Sequence, residues 1–172
     1  LIKPEIILDE RGYFFECFKK DALNDYVGEK INFVQENESF SSKGVLRGLH
    51  YQLNPFSQSK LVRVVQGRII DVAVDIRKSS PTFGKYVVEE LSDKNKAQLF
   101  IPKGFAHGFA VLSKNAVISY KVDNYYSPTH ERGIAYNDTE LKIDWRINNQ
   151  NVIISQKDKN YPQLSKANDL FA

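Results

Sequence analysis

The chain has 172 residues, 42% of them apolar, 26% charged and 12% aromatic, an ordinary globular balance that fits one domain spanning residues 1–172. Its net charge of +3 is too small to call for nucleic acid as a partner, and instead suits a small anionic molecule held by a few Lys and Arg in a cleft. The single cysteine, Cys17, excludes an intramolecular disulfide and fits a reducing compartment, and no apolar run reaches the roughly 18 residues of a membrane span, so no membrane and a cytoplasmic location are expected.

With no Met and a start at Leu1, the sequence is expected to lack its first residues. Phe15, Glu16 and Phe18 around Cys17 read as a strand, and residues Lys19 to Tyr26 as a helix. In Arg47-Gly48-Leu49-His50-Tyr51-Gln52, alternation places Leu46, His50 and Gln52 on one strand face. Leu61 to Val65 is a β-branched run, and Ile70, Val72, Val74 and Ile76 alternate with Asp71, Ala73 and Asp75, the period of a strand with one apolar face. Gln66-Gly67 between these two runs predicts a tight hairpin. Tyr86 to Leu91, Gln98 to Ile101, Gly108 to Leu112 and Ala116 to Val122 are further strands, with one helical turn at Lys94 to Ala97. Turn residues separate them at Pro81-Thr82, Pro102-Lys103-Gly104 and Ser113 to Asn115. From about Asn148 the pattern weakens into polar loop, with Val152 to Ile154 as a last strand. Many short strands at regular spacing predict an all-β sandwich or barrel.

Three histidines, His50, His107 and His130, carry most of the chemical interest. A lone histidine or tyrosine is ordinarily a hydrogen-bonded core side chain, so position alone assigns none of them a role. Gly104 and Gly108 around His107 would let another group approach the backbone closely, and Tyr120, sharing a face with Ile118 and Val122, should point into the barrel. Pro102-x-Gly104-x-x-His107 is a spacing that metal-binding cupins also use. However, His50 is followed by Tyr51 and Gln52 where such proteins place a His-x-His pair, so no metal is expected. Nucleophilic-serine, phosphate-loop and dinucleotide-binding motifs are missing. A His, a Tyr, a Lys and several Arg spread along strands suit proton transfer beside a carbonyl: a base takes a carbon-bound proton, a cation holds the enolate oxygen, and an acid returns a proton.

Taken together, the blocks Glu10 to Glu16, Gly44 to Gln52, Gln58 to Gly67, Asp71 to Arg77, Ser79 to Lys85, Ile101 to Phe109, Tyr120-Lys121, Tyr125 to Pro128, His130 to Ile134, Ile143 to Trp145 and Ser155 to Asp158 resemble the dTDP-4-dehydrorhamnose 3,5-epimerase family. The resemblance runs from about Asp9 to Asp158 and implies a cupin-type jelly-roll β-barrel with short peripheral helices, a homodimer formed by strand exchange, no cofactor, and a nucleotide-diphosphate sugar as substrate. It implies His50 as general base paired with Asp158, Tyr120 as general acid, and Lys60 beside the 4-keto oxygen, helped by His107. Arg11, Arg47 and Lys157 would meet the diphosphate, Glu16, Gln35, Asn37 and Glu131 would make further ligand contacts, and Tyr126 would stack on the base. Two alternatives stay open: an epimerase of another nucleotide-linked 4-keto sugar, such as a GDP-linked deoxyheptose in polysaccharide biosynthesis, inverting C3, C5 or both; and a non-catalytic cupin that only binds nucleotide sugars.

Overall fold

The structure, a computed structural model, describes residues 1–148 and 152–172. Along the chain come β1 (Ile7–Asp9), β2 (Gly12–Phe14), α1 (Lys20–Val27), β3 (Gln35–Ser42), β4 (Leu46–Gln52), β5 (Lys60–Gln66), β6 (Arg68–Asp75), β7 (Tyr86–Ser92), β8 (Gln98–Ile101), β9 (Phe105–Val111), β10 (Asn115–Val122), β11 (Glu131–Gly133) and α2 (Gln156–Lys159). Short 3₁₀ turns lie at Pro128–His130 and Leu164–Lys166. The strands form a four-stranded sheet, β3-β10-β5-β8, a five-stranded sheet, β11-β4-β9-β6-β7, and a separate β1–β2 hairpin, every ladder antiparallel. This is the double-sheet jelly roll of the cupin class.

Two apolar clusters hold it together. Between the sheets, Val62, Val64, Leu99, Ile101, Ala116 and Ile118 meet Ile69, Ala73, Leu91, Phe109 and Val111. The outer face of the five-stranded sheet buries Leu46, Leu49, Ile70, Val72, Val74 and Ala110 under Ile134, Leu141, Trp145 and Leu164 from the C-terminal segment. Hence β6 is buried from Ile69 to Asp75 on both faces, where its alternation predicts one apolar face: that face, with Ile70, Val72 and Val74, lies under a segment some 60–95 residues later in the chain, and the second face turns Ile69 and Ala73 to the opposing sheet.

Other expectations need correction. Gln66-Gly67 does not close a hairpin: β5 pairs with β10 and β8, while β6 pairs with β7 and β9 in the other sheet, so Gly67 marks a corner between sheets. Gly67 has φ +86°, and a Cβ there would lie 2.1 Å from the Asn115 carbonyl oxygen, so only glycine fits the corner. The helical turn expected at 94–97 falls earlier: the Lys96 N–H bonds the Ser92 carbonyl at 3.1 Å, and Lys96 at φ +52° ends the turn before Ala97. Phe15 to Phe18 are not strand, and Val152–Ile154 reduces to a single parallel bridge, Ile153 with Val45. No described helix is long and apolar enough to cross a membrane.

Candidate active site

The register of β4 decides which side chains reach the barrel interior. A shift in its pairing with β9 falls between Arg47 and His50, at Gly48, whose φ is +121°. A Cβ on Gly48 would lie 2.5 Å from Gly108 Cα, and one on Gly108 would lie 2.8 Å from the Arg47 carbonyl oxygen, so paired glycines let the two backbones touch. The group approaching Gly108 is therefore the β4 backbone, while Gly104 is crossed by the stem of Arg77. The irregularity changes the phase of the strand. Leu46 and Leu49 turn to the outer core, and Arg47, His50 and Gln52 line an inner cleft, so Leu46 and His50 do not share a face as simple alternation predicts.

That cleft has a volume of about 390 Å³. From the five-stranded sheet it takes Arg47, His50 and Glu131; from the opposing sheet Gln35, Asn37, Lys60 and Tyr120; from a loop Tyr126; and from α2 Lys157. Tyr120 stands beside Asn37 on one side and Val62 on the other in the β3-β10-β5 ladders, and its phenol enters the barrel as predicted.

His50 Nε2 lies 2.9 Å from Asp158 Oδ1, and Asp158 Oδ2 accepts the Gly48 N–H at 3.0 Å. Ser155 caps α2 by accepting the Asp158 N–H, which fixes the carboxylate 108 residues from its histidine. Burial pushes the Asp158 carboxyl up, but the bonds to His50, Gly48 and Ser155 outweigh it and hold the group below the usual carboxylate range. An ionised Asp158 requires the His50 proton on Nε2, which leaves Nδ1 as the basic nitrogen. The Tyr161 ring packs edge-on against His50 at 5.7 Å and occupies the space above Gly133, the residue opposite His50 in the β11–β4 ladder.

A second pair lies deeper. His107 Nε2 is 2.6 Å from Asp71 Oδ1, both groups buried, and Asp71 Oδ2 has no hydrogen-bond partner. Burial lowers the His107 pKa, with the charges of Lys60 and His50 acting the same way and Asp71 opposing. Burial likewise pulls Lys60 down to about 8, against the attraction of Asp71 and Glu131. Burial raises the Tyr120 phenol, so it stays protonated at neutral pH. At the mouth, Glu131 Oε2 accepts the Tyr126 hydroxyl at 2.6 Å and the Lys157 ammonium at 2.7 Å. The first of these bonds pushes the Tyr126 phenol up to about 12. Arg47 is aimed by Ser41 Oγ at 3.1 Å, and Gln35 donates to Asn37 at 2.7 Å.

Eleven of the thirteen predicted site residues thus gather in or directly behind one cleft; Arg11 and Glu16 do not. Arg11 sits on the exposed β1–β2 hairpin, paired with Asp9. Glu16 borders a different cavity, about 460 Å³, with Glu36, Arg63, Ser119 and Lys121, the outward-facing residues of the four-stranded sheet. The sheet separates Glu16 from the cleft of its own chain, since Glu36, Ser119 and Lys121 alternate along β3 and β10 with the cleft residues Gln35, Asn37 and Tyr120. Asp71, Gln52, Gln58, Gly133 and Tyr161 carry no role in the sequence reading, although Gln52 is placed there beside His50 and Asp71 stands out as a carboxyl inside an aliphatic run. Among the described residues no three His, Cys, Asp or Glu side chains gather as a metal-ligand set.

A jelly roll that sets a His–Asp dyad, a protonated phenol and an ammonium around one cleft defines a cupin-type acid–base enzyme. The family profile of dTDP-4-dehydrorhamnose 3,5-epimerase matches residues 1–166. The dTDP-4-dehydrorhamnose 3,5-epimerase of Shigella flexneri is 55% identical over 160 residues, covering 93% of this chain and 87% of its own. The crystal structure of dTDP-4-dehydrorhamnose 3,5-epimerase from Elizabethkingia anophelis NUHP1 superposes with a TM-score of 0.93 at 48% identity, covering 96% of this chain and 91% of its own. That of dTDP-6-deoxy-D-glucose-3,5-epimerase from Legionella pneumophila, in complex with dTDP-4-keto-L-rhamnose, gives 0.92 at 49%, covering 96% and 87%. The chain belongs to the dTDP-4-dehydrorhamnose 3,5-epimerase family.

Proposed function

We propose that this protein is a cofactor-independent isomerase that inverts C3 and C5 of dTDP-4-dehydro-6-deoxy-D-glucose, giving dTDP-4-dehydro-L-rhamnose. One observation carries the reading: His50 with Asp158, and Tyr120 with Lys60, enter one cleft from opposed sheets. A base and an acid set on two walls can take a proton from one face of a sugar ring and return one to the other.

The 4-keto group acidifies the hydrogens at C3 and C5. His50 Nδ1 takes the carbon-bound proton, and the C–H electrons move into the ring to give an enolate at O4. Lys60 holds that oxygen with its ammonium, backed by His107. The Tyr120 hydroxyl protonates the carbon from the opposite face, and the phenolate recovers a proton from solvent as His50 loses its own. Repetition at the second carbon completes the double inversion. Each positioned acid or base is worth about 10²–10⁴-fold. Arg47 and Lys157 suit the diphosphate, with Gln35, Asn37 and Glu131 making further polar contacts and Tyr126 stacking on the thymine.

The working unit is a homodimer in which the partner's N-terminal arm brings Arg11 and Glu16 to the cleft. Exposed Ile7, Leu8, Tyr13 and Phe14 on the β1–β2 hairpin support this reading, because so many apolar side chains on one arm need a covering surface. An activated-sugar substrate and an exposed Cys17 thiol support action in the cytoplasm.

The test is incubation with dTDP-4-dehydro-6-deoxy-D-glucose in D₂O, followed by NMR. Deuterium at both C3 and C5, with ring couplings changed to those of the L-sugar, is the expected result. Deuterium at one carbon alone would overturn double inversion, and none from a folded sample would overturn the assignment.

A further inference from the structure

We propose that Gln52 is the residue that positions Tyr126, and through it sets affinity for the nucleotide base; this rests on the reading of Tyr126 as the stacking ring. Gln52 is buried at the end of β4. Its Oε1 accepts the Ser127 N–H at 2.6 Å, and its Nε2 donates to the Tyr125 carbonyl at 3.3 Å and the Phe56 carbonyl at 2.9 Å. The Tyr125 carbonyl and the Ser127 N–H belong to the two peptide groups that flank Tyr126. Holding both planes fixes φ and ψ of the residue between them, and so the direction in which its ring leaves the backbone.

The phenol is held from the same register position. Glu131, which accepts the Tyr126 hydroxyl at 2.6 Å, stands directly opposite Gln52 in the β4–β11 ladder. Tyr126 is thus fixed at its backbone by one member of a cross-strand pair and at its tip by the other. Its ring is half exposed at the mouth and belongs to neither apolar cluster. In a loop without regular structure, these bonds replace the packing that would orient a core side chain. Neighbouring contacts fasten the same loop to the 52–59 segment: Gln58 Nε2 donates to the Asn124 carbonyl at 2.7 Å, and Asn124 Nδ2 to the Pro55 carbonyl at 2.8 Å. Those hold the loop near the cleft; only Gln52, among the described residues, bonds on both sides of Tyr126.

A ring held in place before the base arrives loses less entropy on binding, so the contribution of Gln52 falls on affinity and not on the chemical step. Stacking of a base on an aromatic ring is sensitive enough to expect, for Gln52→Leu, a rise of about tenfold in KM and in the Kd of dTDP measured by calorimetry, with kcat within about twofold of wild type. Gln52→Glu, which keeps the acceptor for Ser127 and loses the donor, should raise both by about threefold. The deciding comparison is with Tyr126→Ala: in that background Gln52→Leu should add less than twofold, because the ring it positions is gone.

A full tenfold penalty surviving in the Tyr126→Ala background, or a loss confined to kcat, overturns the proposal. If Gln52→Leu does not fold, Gln52→Glu carries the same cycle. Binding of dTDP reads out independently of turnover. A wild-type protein that binds dTDP but exchanges no sugar protons defeats the functional reading alone, and a variant with unchanged dTDP affinity in an active enzyme defeats this one.

Discussion

Lys60 is charged at a position where burial opposes charge. Its pKa falls from 10.5 in the open chain to about 8 in the fold. Between those values the unfolded chain keeps a proton that the folded protein releases, so this group's contribution makes stability rise with pH from about 8 to 10.5. At pH 7 both states are protonated and the whole cost of burying the ammonium is present. Lys60→Met should therefore raise stability at pH 7 by about 1–3 kcal/mol while lowering kcat at least about a hundredfold, measured by thermal melts and by turnover. Unchanged or lower stability would mean that the ammonium is not destabilised. With Lys60 in its proposed role on the enolate oxygen, kcat/KM of the wild type should fall as pH rises through about 8 and the ammonium loses its charge. Lys60→Arg should lack that limb, and a limb that persists there belongs to another residue. Across the cleft, Asp158→Asn keeps an acceptor for Gly48 but removes the charge that stabilises the imidazolium of His50. Its kcat should drop by about 10²–10⁴-fold with KM little changed, and a wild-type kcat would show that His50 works without its carboxylate.

The elements that carry these groups constrain them in turn. β11 is three residues long, yet it brings Glu131 opposite Gln52 and Gly133 opposite His50, and the C-terminal segment then lays Tyr161 in the space that Gly133 leaves. A Cβ on Gly133 would lie 2.4 Å from the Tyr161 ring. Gly133→Ala should therefore displace the ring from the dyad, destabilise the fold by about 1–3 kcal/mol and lower kcat; the double variant with Tyr161→Ala should recover stability but not rate. If Gly133→Ala melts and turns over like wild type, the ring has room to move and does not hold His50. β11 had no sequence signature, since three residues are too few to show a period. Longer strands were legible: β5, β6 and β10 announce themselves by alternation or β-branched runs. The corner at Gly67 was not, because a glycine between two strands reads the same locally whether the chain pairs back or crosses to another sheet. At the site, motif resemblance picked out His50, Lys60, Tyr120 and Asp158. Gln52 escaped because its partners lie up to 75 residues away and any polar residue on that strand reads alike.

The β1–β2 arm bears on how many chains make one working site. One protomer holds the His50–Asp158 dyad, Tyr120 and Lys60 around its cleft, yet keeps Glu16 on the far side of the four-stranded sheet and Arg11 on an exposed hairpin. Either those two residues do not bind substrate, or they serve the cleft of a second copy, and a mixed dimer separates the cases. Arg11→Ala with Glu16→Ala on one tag and His50→Asn on another, co-expressed and purified through both tags, gives dimers with one subunit of each kind. In the exchanged arrangement, the subunit with intact His50 receives the intact arm of its partner and works, while the other site lacks both its base and its arm. Such dimers should show about half the wild-type activity, although each parent homodimer is nearly inactive. If each arm serves its own barrel, one site lacks the arm and the other lacks the base, and the mixed dimer should be as inactive as its parents. Light scattering on the wild type comes first, since a monomer with full activity would remove the homodimer and leave Arg11 and Glu16 as surface residues.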